Sequence, residues 1–287
     1  MNINRVGFIG LGNMGMPIAL NLAVGDFELQ VFDVNAAAVA ELVRAGAIAA
    51  SSPAQMAAAC EVVCICVRDD NDVEQVLNGA EGIFRSARSG LHVVVHSTVT
   101  SGAFRRWARQ ARALDLILVD AAVTGGATVA AERGLCYMVG GPENILEYLR
   151  PLFALSSASG GCIVHAGPTG AGLVLKLANN TMAFFAFVAM HEGARLVAAG
   201  GGSLEKLYEV GSANGVVTPQ MRRFLENRSD LQARYSNEEF KQRFLPFATL
   251  VEKDLYCALR SGAEMGAAMP AAHYLHGVIR QVFLDEC

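Results

Sequence analysis

Lys176 and Asn180 are the residues whose types and spacing point most directly to chemistry. Four positions apart on a helix, they project from the same face. A lysine that exchanges a proton and an amide that holds a hydroxyl in place can together work on a small alcohol. When such an alcohol is oxidised a base must take the hydroxyl proton as hydride leaves, and in the reverse direction an acid must return it. A free lysine titrates near ~10.4 and is a poor base, so this reading expects burial or a cationic neighbour, with Lys253 as the candidate neighbour. The flanking Leu173, Val174, Leu175, Leu177 and Ala178 are apolar, which argues against a solvent-facing lysine.

A hydride acceptor is signalled at the other end of the chain. Gly10-Leu11-Gly12-Asn13-Met14-Gly15 follows the apolar run Val6–Ile9 and leads into a helical pattern. In such a loop the first glycine allows a tight turn, the second lets a pyrophosphate approach the backbone, and the third lets helix and strand pack closely. The helix N-terminus adds unpaired N–H groups and partial positive charge. The second strand candidate runs into Asp33, where a carboxylate can accept from ribose hydroxyls and would repel a 2′-phosphate. The pattern predicts a dinucleotide site that prefers NAD, with NADP possible. Thr124-Gly125-Gly126 offers unhindered backbone N–H groups for a substrate carboxylate. Ser97 ends a strand candidate at the edge where doubly wound sheets bind ligands.

These groups need a scaffold. Strand candidates at Val6–Ile9, Leu29–Phe32, Val62–Val67, His92–His96, Leu116–Val119, Cys136–Val139 and Cys162–His165 alternate with helical patterns at Met14–Val24, Ala36–Arg44, Val73–Leu77 and Gly102–Ala113. That alternation predicts an α/β domain over residues 1–165, a Rossmann-type doubly wound parallel sheet covered on both faces. After Gly167 the strands stop. A long helix from Gly170 to Ala199 leads into an all-α domain over 166–287, with further helices at Leu204–Ala213, Pro219–Glu226, Phe247–Gly262 and Pro270–Phe283. Met221, Arg222, Phe224 and Phe247 of this region are candidates for substrate selection.

Composition narrows the classes. The 287 residues are 53% apolar and 17% charged, enough to bury a large core. A net charge of −4 leaves no basic surplus for nucleic acid. Seven cysteines (60, 64, 66, 136, 162, 257 and 287) form no CxxC pair, which predicts buried, reduced thiols in a cytoplasmic protein. His273 and His276 have no supporting ligand at metal-binding spacing, so no metal is expected. The apolar start is short and glycine-rich for a signal peptide, and Ala183–Met190 is well below the ~20 residues of a membrane span. The long apolar helix predicts a homo-oligomer, a dimer or tetramer.

Taken together the motifs resemble the β-hydroxyacid dehydrogenases, the group that holds 3-hydroxyisobutyrate dehydrogenase and tartronate semialdehyde reductase. The opening Gly7-Phe8-Ile9-Gly10-Leu11-Gly12-Asn13-Met14-Gly15-Met16-Pro17 is similar to that family's start. His96-Ser97-Thr98, Asp120-Ala121-Ala122-Val123-Thr124-Gly125-Gly126, the block Gly170–Asn180 and Lys253-Asp254-Leu255 match its later segments in order. The resemblance implies hydride transfer between a nicotinamide and a small β-hydroxy acid or its semialdehyde. It gives Lys176 and Asn180 to catalysis, and Ser97 with Thr124, Gly125 and Gly126 to substrate. It gives Thr98, Lys253 and the loop at Val67 and Arg68 to the cofactor, and Asp254 to holding its helix in place. Relatives assemble through their helical domains. Ala122, Thr124, His96 and Arg68 depart from the family pattern, the first two in the carboxylate loop, so the resemblance names no substrate. Imine reductases resemble the same fold but usually carry another residue at the lysine position. A non-catalytic NAD-binding module is the remaining alternative, opposed by the retention of both Lys176 and Asn180.

Overall fold

The computed structural model describes residues 3–286, so Met1, Asn2 and Cys287 lie outside the described residues. The strands are β1 (Arg5–Ile9), β2 (Glu28–Phe32), β3 (Ile48–Ala49), β4 (Val62–Ile65), β5 (His92–Val95), β6 (Ile117–Thr124), β7 (Cys136–Gly140) and β8 (Cys162–Gly167). Between them run α1 (Gly15–Leu22), α2 (Ala36–Arg44), α3 (Pro53–Ala59), α4 (Asp70–Asn78), α5 (Ser101–Ala113), α6 (Gly126–Ala131) and α7 (Glu143–Ser157). After the last strand come α8 (Ala171–Ala199), α9 (Leu204–Ala213), α10 (Pro219–Arg234), α11 (Asn237–Met265) and α12 (Pro270–Leu284).

The strands form one sheet in the order β3-β2-β1-β4-β5-β6-β7-β8. Every neighbouring pair is parallel except β6 and β7. The expected doubly wound parallel sheet is therefore present, with one antiparallel step. Its cause is the short connection: only α6 and a tight turn separate Thr124 from Cys136, too little chain for the crossover that a parallel neighbour requires. Central strands are buried on both faces, as Val62, Val63, Cys64 and Ile65 show, which explains why they read as unbroken apolar runs. Ile18, Leu22, Leu42, Leu149 and Phe153 cover one side as a continuous core with Phe8, Val31 and Val94.

Local capping sets many of the helix starts. Asn35, Ser52 and Thr100 accept hydrogen bonds from the first turns of α2, α3 and α5. Ser236 and Glu239 form a reciprocal capping box that starts α11 well before the predicted Phe247. Pro246 lies inside the helix and does not end it. The apolar run Ala183–Met190 likewise belongs to a longer helix, because Lys176, Asn179 and Asn180 lie inside α8 and do not end it. The short-span argument is thus corrected: by length and composition alone α8 could cross a membrane. The thiols also differ from expectation. Cys60, Cys64 and Cys257 are buried, whereas Cys162 is exposed because β8 is an edge strand.

The chain divides into two compact units inside α8, between Lys176 and Leu177. The core of the second unit is aromatic: Phe184, Phe187, Phe224, Phe240, Phe244 and Phe283 share one cluster. Beside it the buried Arg228 guanidinium donates to Asp285 Oδ2 at 2.5 Å and to the Phe283 carbonyl at 3.3 Å. The same group lies 5.0 Å from the Phe240 ring centre. Burial alone would raise the Asp285 carboxyl, but the Arg228 bond and charge hold it below the usual range. Arg228→Ala should lower stability by about 2 kcal/mol, less than for a fully buried pair because Asp285 is 36% exposed. A urea titration followed by circular dichroism measures this, and an unchanged midpoint would contradict the assigned role.

Candidate active site

The glycine-rich loop joins β1 to α1, and its three glycines meet three different surroundings. Gly10 has φ +94°, and a Cβ there would stand 2.2 Å from the Cys66 carbonyl oxygen. A Cβ on Gly15 would stand 1.9 Å from the Gly10 carbonyl oxygen, so helix and strand pack too closely for any side chain. At Gly12 a Cβ would meet nothing within 4 Å, which leaves open space for a phosphate to reach the backbone. No side chain caps the N-terminus of α1; Met16 N donates to the Gly12 carbonyl and Pro17 has no N–H, so the Gly15 amide is the one within α1's first three residues that can meet an anion. Asn13 is exposed and Met14 half-buried beside this opening, while Leu11 is buried beneath it.

Asp33 follows β2 and fastens that loop. Its Oδ2 accepts from Leu11 N at 2.6 Å and its Oδ1 from Asn35 N at 2.7 Å. Each carboxylate oxygen keeps a further lone pair, so both the turn role and the ribose role are chemically open to it. The strand order reverses between β1 and β4, and crevices at such a reversal are where doubly wound sheets take ligands.

On the neighbouring strands, Val67 N donates to Ser97 Oγ at 2.8 Å, joining the ends of β4 and β5. The Ser97 hydroxyl proton remains to be donated elsewhere. Val67 also packs against Gly10, whereas Arg68 is exposed and forms a two-point ion pair with Asp72 at 2.7 and 3.0 Å. Thr98 is half-buried next to Ser97. His96 is buried and bonds the Ala121 carbonyl through Nδ1 at 2.7 Å, which fixes Nδ1 as the protonated nitrogen. Its ring lies among Phe8, Tyr137 and Phe153, and burial pushes it down to about 4. This histidine is a neutral packing group near neutral pH.

Thr124 closes β6, and Gly125 and Gly126 follow at φ +137° and +81°. The β6 strand runs parallel to β5, so this loop opens on the same carboxyl edge as Ser97. The first unit therefore gathers the glycine-rich loop, Asp33, Val67, Arg68, Ser97, Thr98 and Thr124–Gly126 along one edge.

Asp120, also on β6, belongs to the matched block Asp120–Gly126 but carries no role in the sequence reading. It is buried, and burial pushes its carboxyl up while backbone N–H bonds oppose the shift. Its Oδ1 accepts from Gly170 N at 2.6 Å and its Oδ2 from Leu173 N at 2.8 Å. A carboxylate inside the sheet thus caps the first turn of α8, which carries Lys176 two turns along. Close approach supports the same placement, since a Cβ on Gly172 would stand 2.2 Å from the Met138 carbonyl oxygen. Lys176 itself is buried at 9% exposure. The sequence signal was there: an acid within the apolar run Leu118-Val119-Asp120-Ala121 needs a partner.

In the second unit, Asn180 Nδ2 donates to Asp254 Oδ2 at 2.7 Å. A carboxylate only accepts, so this bond turns the Asn180 carbonyl oxygen away from Asp254 and fixes the amide. Lys253 Nζ lies 3.0 Å from Asp254 Oδ1. Asp254 was expected to hold its own helix; it orients the Asn180 amide as well. The pairing also balances the charge of Lys253. Met221 and Phe224 are buried in the cores of the helical unit, and Phe247 stacks on Phe283 at 5.7 Å, so these three serve packing. Arg222 instead pairs with Glu226 at 2.7 Å. Among the described residues no group of His, Cys, Asp or Glu is placed to hold a metal.

Asp120→Asn would turn an N–H₂ group toward amides that already donate. We expect about 1–3 kcal/mol of destabilisation and faster hydrogen exchange at the Gly170 and Leu173 amides. Unchanged exchange at both would contradict the capping role.

Comparison with known proteins agrees with this geometry. Residues 5–167 match the family model for the NAD binding domain of 6-phosphogluconate dehydrogenase, and residues 170–284 match the one for NAD-binding of NADP-dependent 3-hydroxyisobutyrate dehydrogenase. The chain is 33% identical to 2-hydroxy-3-oxopropionate reductase of Escherichia coli K12, over 93% of this chain and 87% of that protein. It is 36% identical to NAD-dependent L-serine dehydrogenase of Pseudomonas aeruginosa, over 72% and 69%. A structure of Mycobacterium tuberculosis 3-hydroxyisobutyrate dehydrogenase with L-serine shares the fold, with TM-score 0.83 at 24% identity over 98% and 94% of the two chains. With a glycine-rich loop between β1 and α1 and the lysine–asparagine pair on α8, the chain belongs to the β-hydroxyacid dehydrogenase family of nicotinamide-dependent oxidoreductases.

Proposed function

We propose that this enzyme interconverts a small β-hydroxy acid and its semialdehyde, with Lys176 as general acid and base. The observation that carries the reading is the placement of Lys176: a buried amine on a helix whose start is fixed by Asp120. In oxidation Lys176 takes the hydroxyl proton, and in reduction it returns one to the carbonyl oxygen. Asn180, its amide set by Asp254, holds that oxygen in position. Ser97 donates to the substrate, and the N–H groups of Thr124–Gly126 receive its carboxylate. A nicotinamide bound at Gly10–Gly15, with Asp33, Val67, Thr98 and Lys253 as further contacts, supplies hydride acceptance and donation.

Asp33 favours NAD, because a carboxylate at the ribose repels a 2′-phosphate. The following residue is Val34, which is exposed, and no cation stands in Asp33-Val34-Asn35-Ala36 to hold such a phosphate. Names among the relatives carry both cofactors, so the preference rests on these residues. Departures at Ala122 and Thr124 change the carboxylate loop, and the acid is therefore identified by class.

Four exposed apolar residues, Leu175, Met182, Phe185 and Leu196, lie along α8. A second copy of the chain is the proposed cover, which makes a homodimer or homotetramer. Light scattering of the native protein should give a mass above the monomer, and a monomer at working concentration would refute this.

The central test is NAD reduction over 3-hydroxyisobutyrate, serine, glycerate, 3-hydroxypropionate and 4-hydroxybutyrate, with NADP in parallel. Lys176→Ala should lower kcat by about 10²–10⁴-fold while NAD still binds. Retained turnover in that variant would overturn the mechanism. Asp33→Ser should narrow the ratio of NAD to NADP kcat/KM, and an unchanged ratio would remove Asp33 from cofactor selection.

A further inference from the structure

Two cysteines far apart in sequence stand side by side in the sheet. Cys136 opens β7 and Cys162 opens β8, and the two are register partners in this parallel pair. Register partners project from the same face of a sheet, on strands about 4.8 Å apart. A disulfide spans Cα separations of about 4.4–6.8 Å, so the backbone already meets its requirement. The two thiols are close enough for Cys136 to act on Cys162, adding to the burial that pushes the Cys162 thiol up. Cys162 is exposed and Cys136 partly so, while Cys60, Cys64 and Cys257 are buried.

The position of the pair is as informative as its geometry. Across the sheet in the other direction, Cys136 is the register partner of Thr124. Thr124, Cys136 and Cys162 therefore form a row on one face of β6, β7 and β8. Thr124 is the first residue of the loop assigned above to the substrate carboxylate.

We propose that Cys136 and Cys162 form an oxidisable dithiol site that takes hydroperoxides and acts on the adjacent Thr124–Gly126 loop; the second half of this statement rests on the substrate reading of that loop. One sulfur attacks a peroxide oxygen, the O–O bond breaks, and a sulfenic acid and water result. The second thiol then displaces that hydroxyl, which leaves as water with the thiol proton, and the S–S bond forms. In sum, two thiols and one hydrogen peroxide give one disulfide and two waters. The sulfurs together lose two electrons and the peroxide gains them. A reducing dithiol reverses the step by exchange. An S–S bond of about 2.05 Å is shorter than any non-bonded sulfur contact, so forming it draws Cys136 toward β8 and away from Thr124. Burial, and after it the neighbouring Cys136 thiol, push the Cys162 thiol up to about 11, so the site answers sustained oxidant and is slow to respond to a brief pulse.

Purified full-length protein, reduced and then treated with hydrogen peroxide, tests this. Peptide mass mapping after alkylation should show a Cys136–Cys162 cross-link with the loss of two hydrogens, reversed by dithiothreitol and absent in Cys136→Ser and Cys162→Ser. Oxidation should raise KM for the hydroxy acid several-fold with kcat and NAD affinity little changed, and both serine variants should be insensitive. If no acid on the panel is turned over, hydrogen exchange at Gly125 and Gly126 before and after oxidation reads the coupling instead. Absence of the cross-link overturns the site whatever the substrate. A cross-link that leaves KM unchanged, or loop exchange unchanged where no acid is turned over, overturns its action on the loop.

Discussion

The Asp120 carboxylate lies inside the sheet and accepts the opening amides of α8. Burying an ionised acid is costly unless its lone pairs are met, and a helix N-terminus meets them with N–H donors and partial positive charge. The arrangement ties the middle of β6 to the start of a 29-residue helix. A rigid helix then carries the constraint along its axis, so the position of Lys176 is set by a bond made two turns earlier. The pressure of Gly172 against the Met138 carbonyl leaves the helix little freedom to shift. The acid–base role proposed for Lys176 needs such a mounting, because small displacements of an acid or base are expensive in rate.

The rest of the first unit follows from the carboxyl edge of the sheet. Parallel strands deliver their C-terminal ends to one side, so loops distant in sequence gather without contacts of their own. Short bonds then lock neighbouring loops: Asp33 to Leu11, and Ser97 to Val67. The antiparallel step at β6 and β7 ends this regularity. It places the start of β7 beside the end of β6 and so brings Cys136 against Thr124. That reversal makes the Thr124–Gly126 loop and the thiol pair neighbours.

The second unit uses a different device. Its core of phenylalanines is non-directional, and orientation comes from a few buried polar bonds. Asp254 fixes the Asn180 amide and balances Lys253, while Arg228 and Asp285 tie α10 to the end of α12. Each is a charge-assisted bond in a poorly hydrated place, where geometry is enforced more strongly than at the surface.

Much of this was written locally. The glycine spacing after an apolar strand, the acid at the end of β2, and the lysine and asparagine four positions apart are each decided by backbone sterics or helix period. They are legible in one dimension because their causes act over a few residues. The Ser236–Glu239 capping box is equally local, a serine and a glutamate three positions apart that start α11. What only the tertiary structure decided are the pairings across long separations: Asp120 with Gly170, Asn180 with Asp254, and Cys136 with Cys162. These depend on strand order and register, which emerge when the whole core packs. A shift of one residue in β7 would turn Cys136 to the opposite face. The sequence by itself determined which chemical groups exist and which local shapes they take, whereas the packed sheet decided which of them meet, since contact between distant residues is a property of the assembled core.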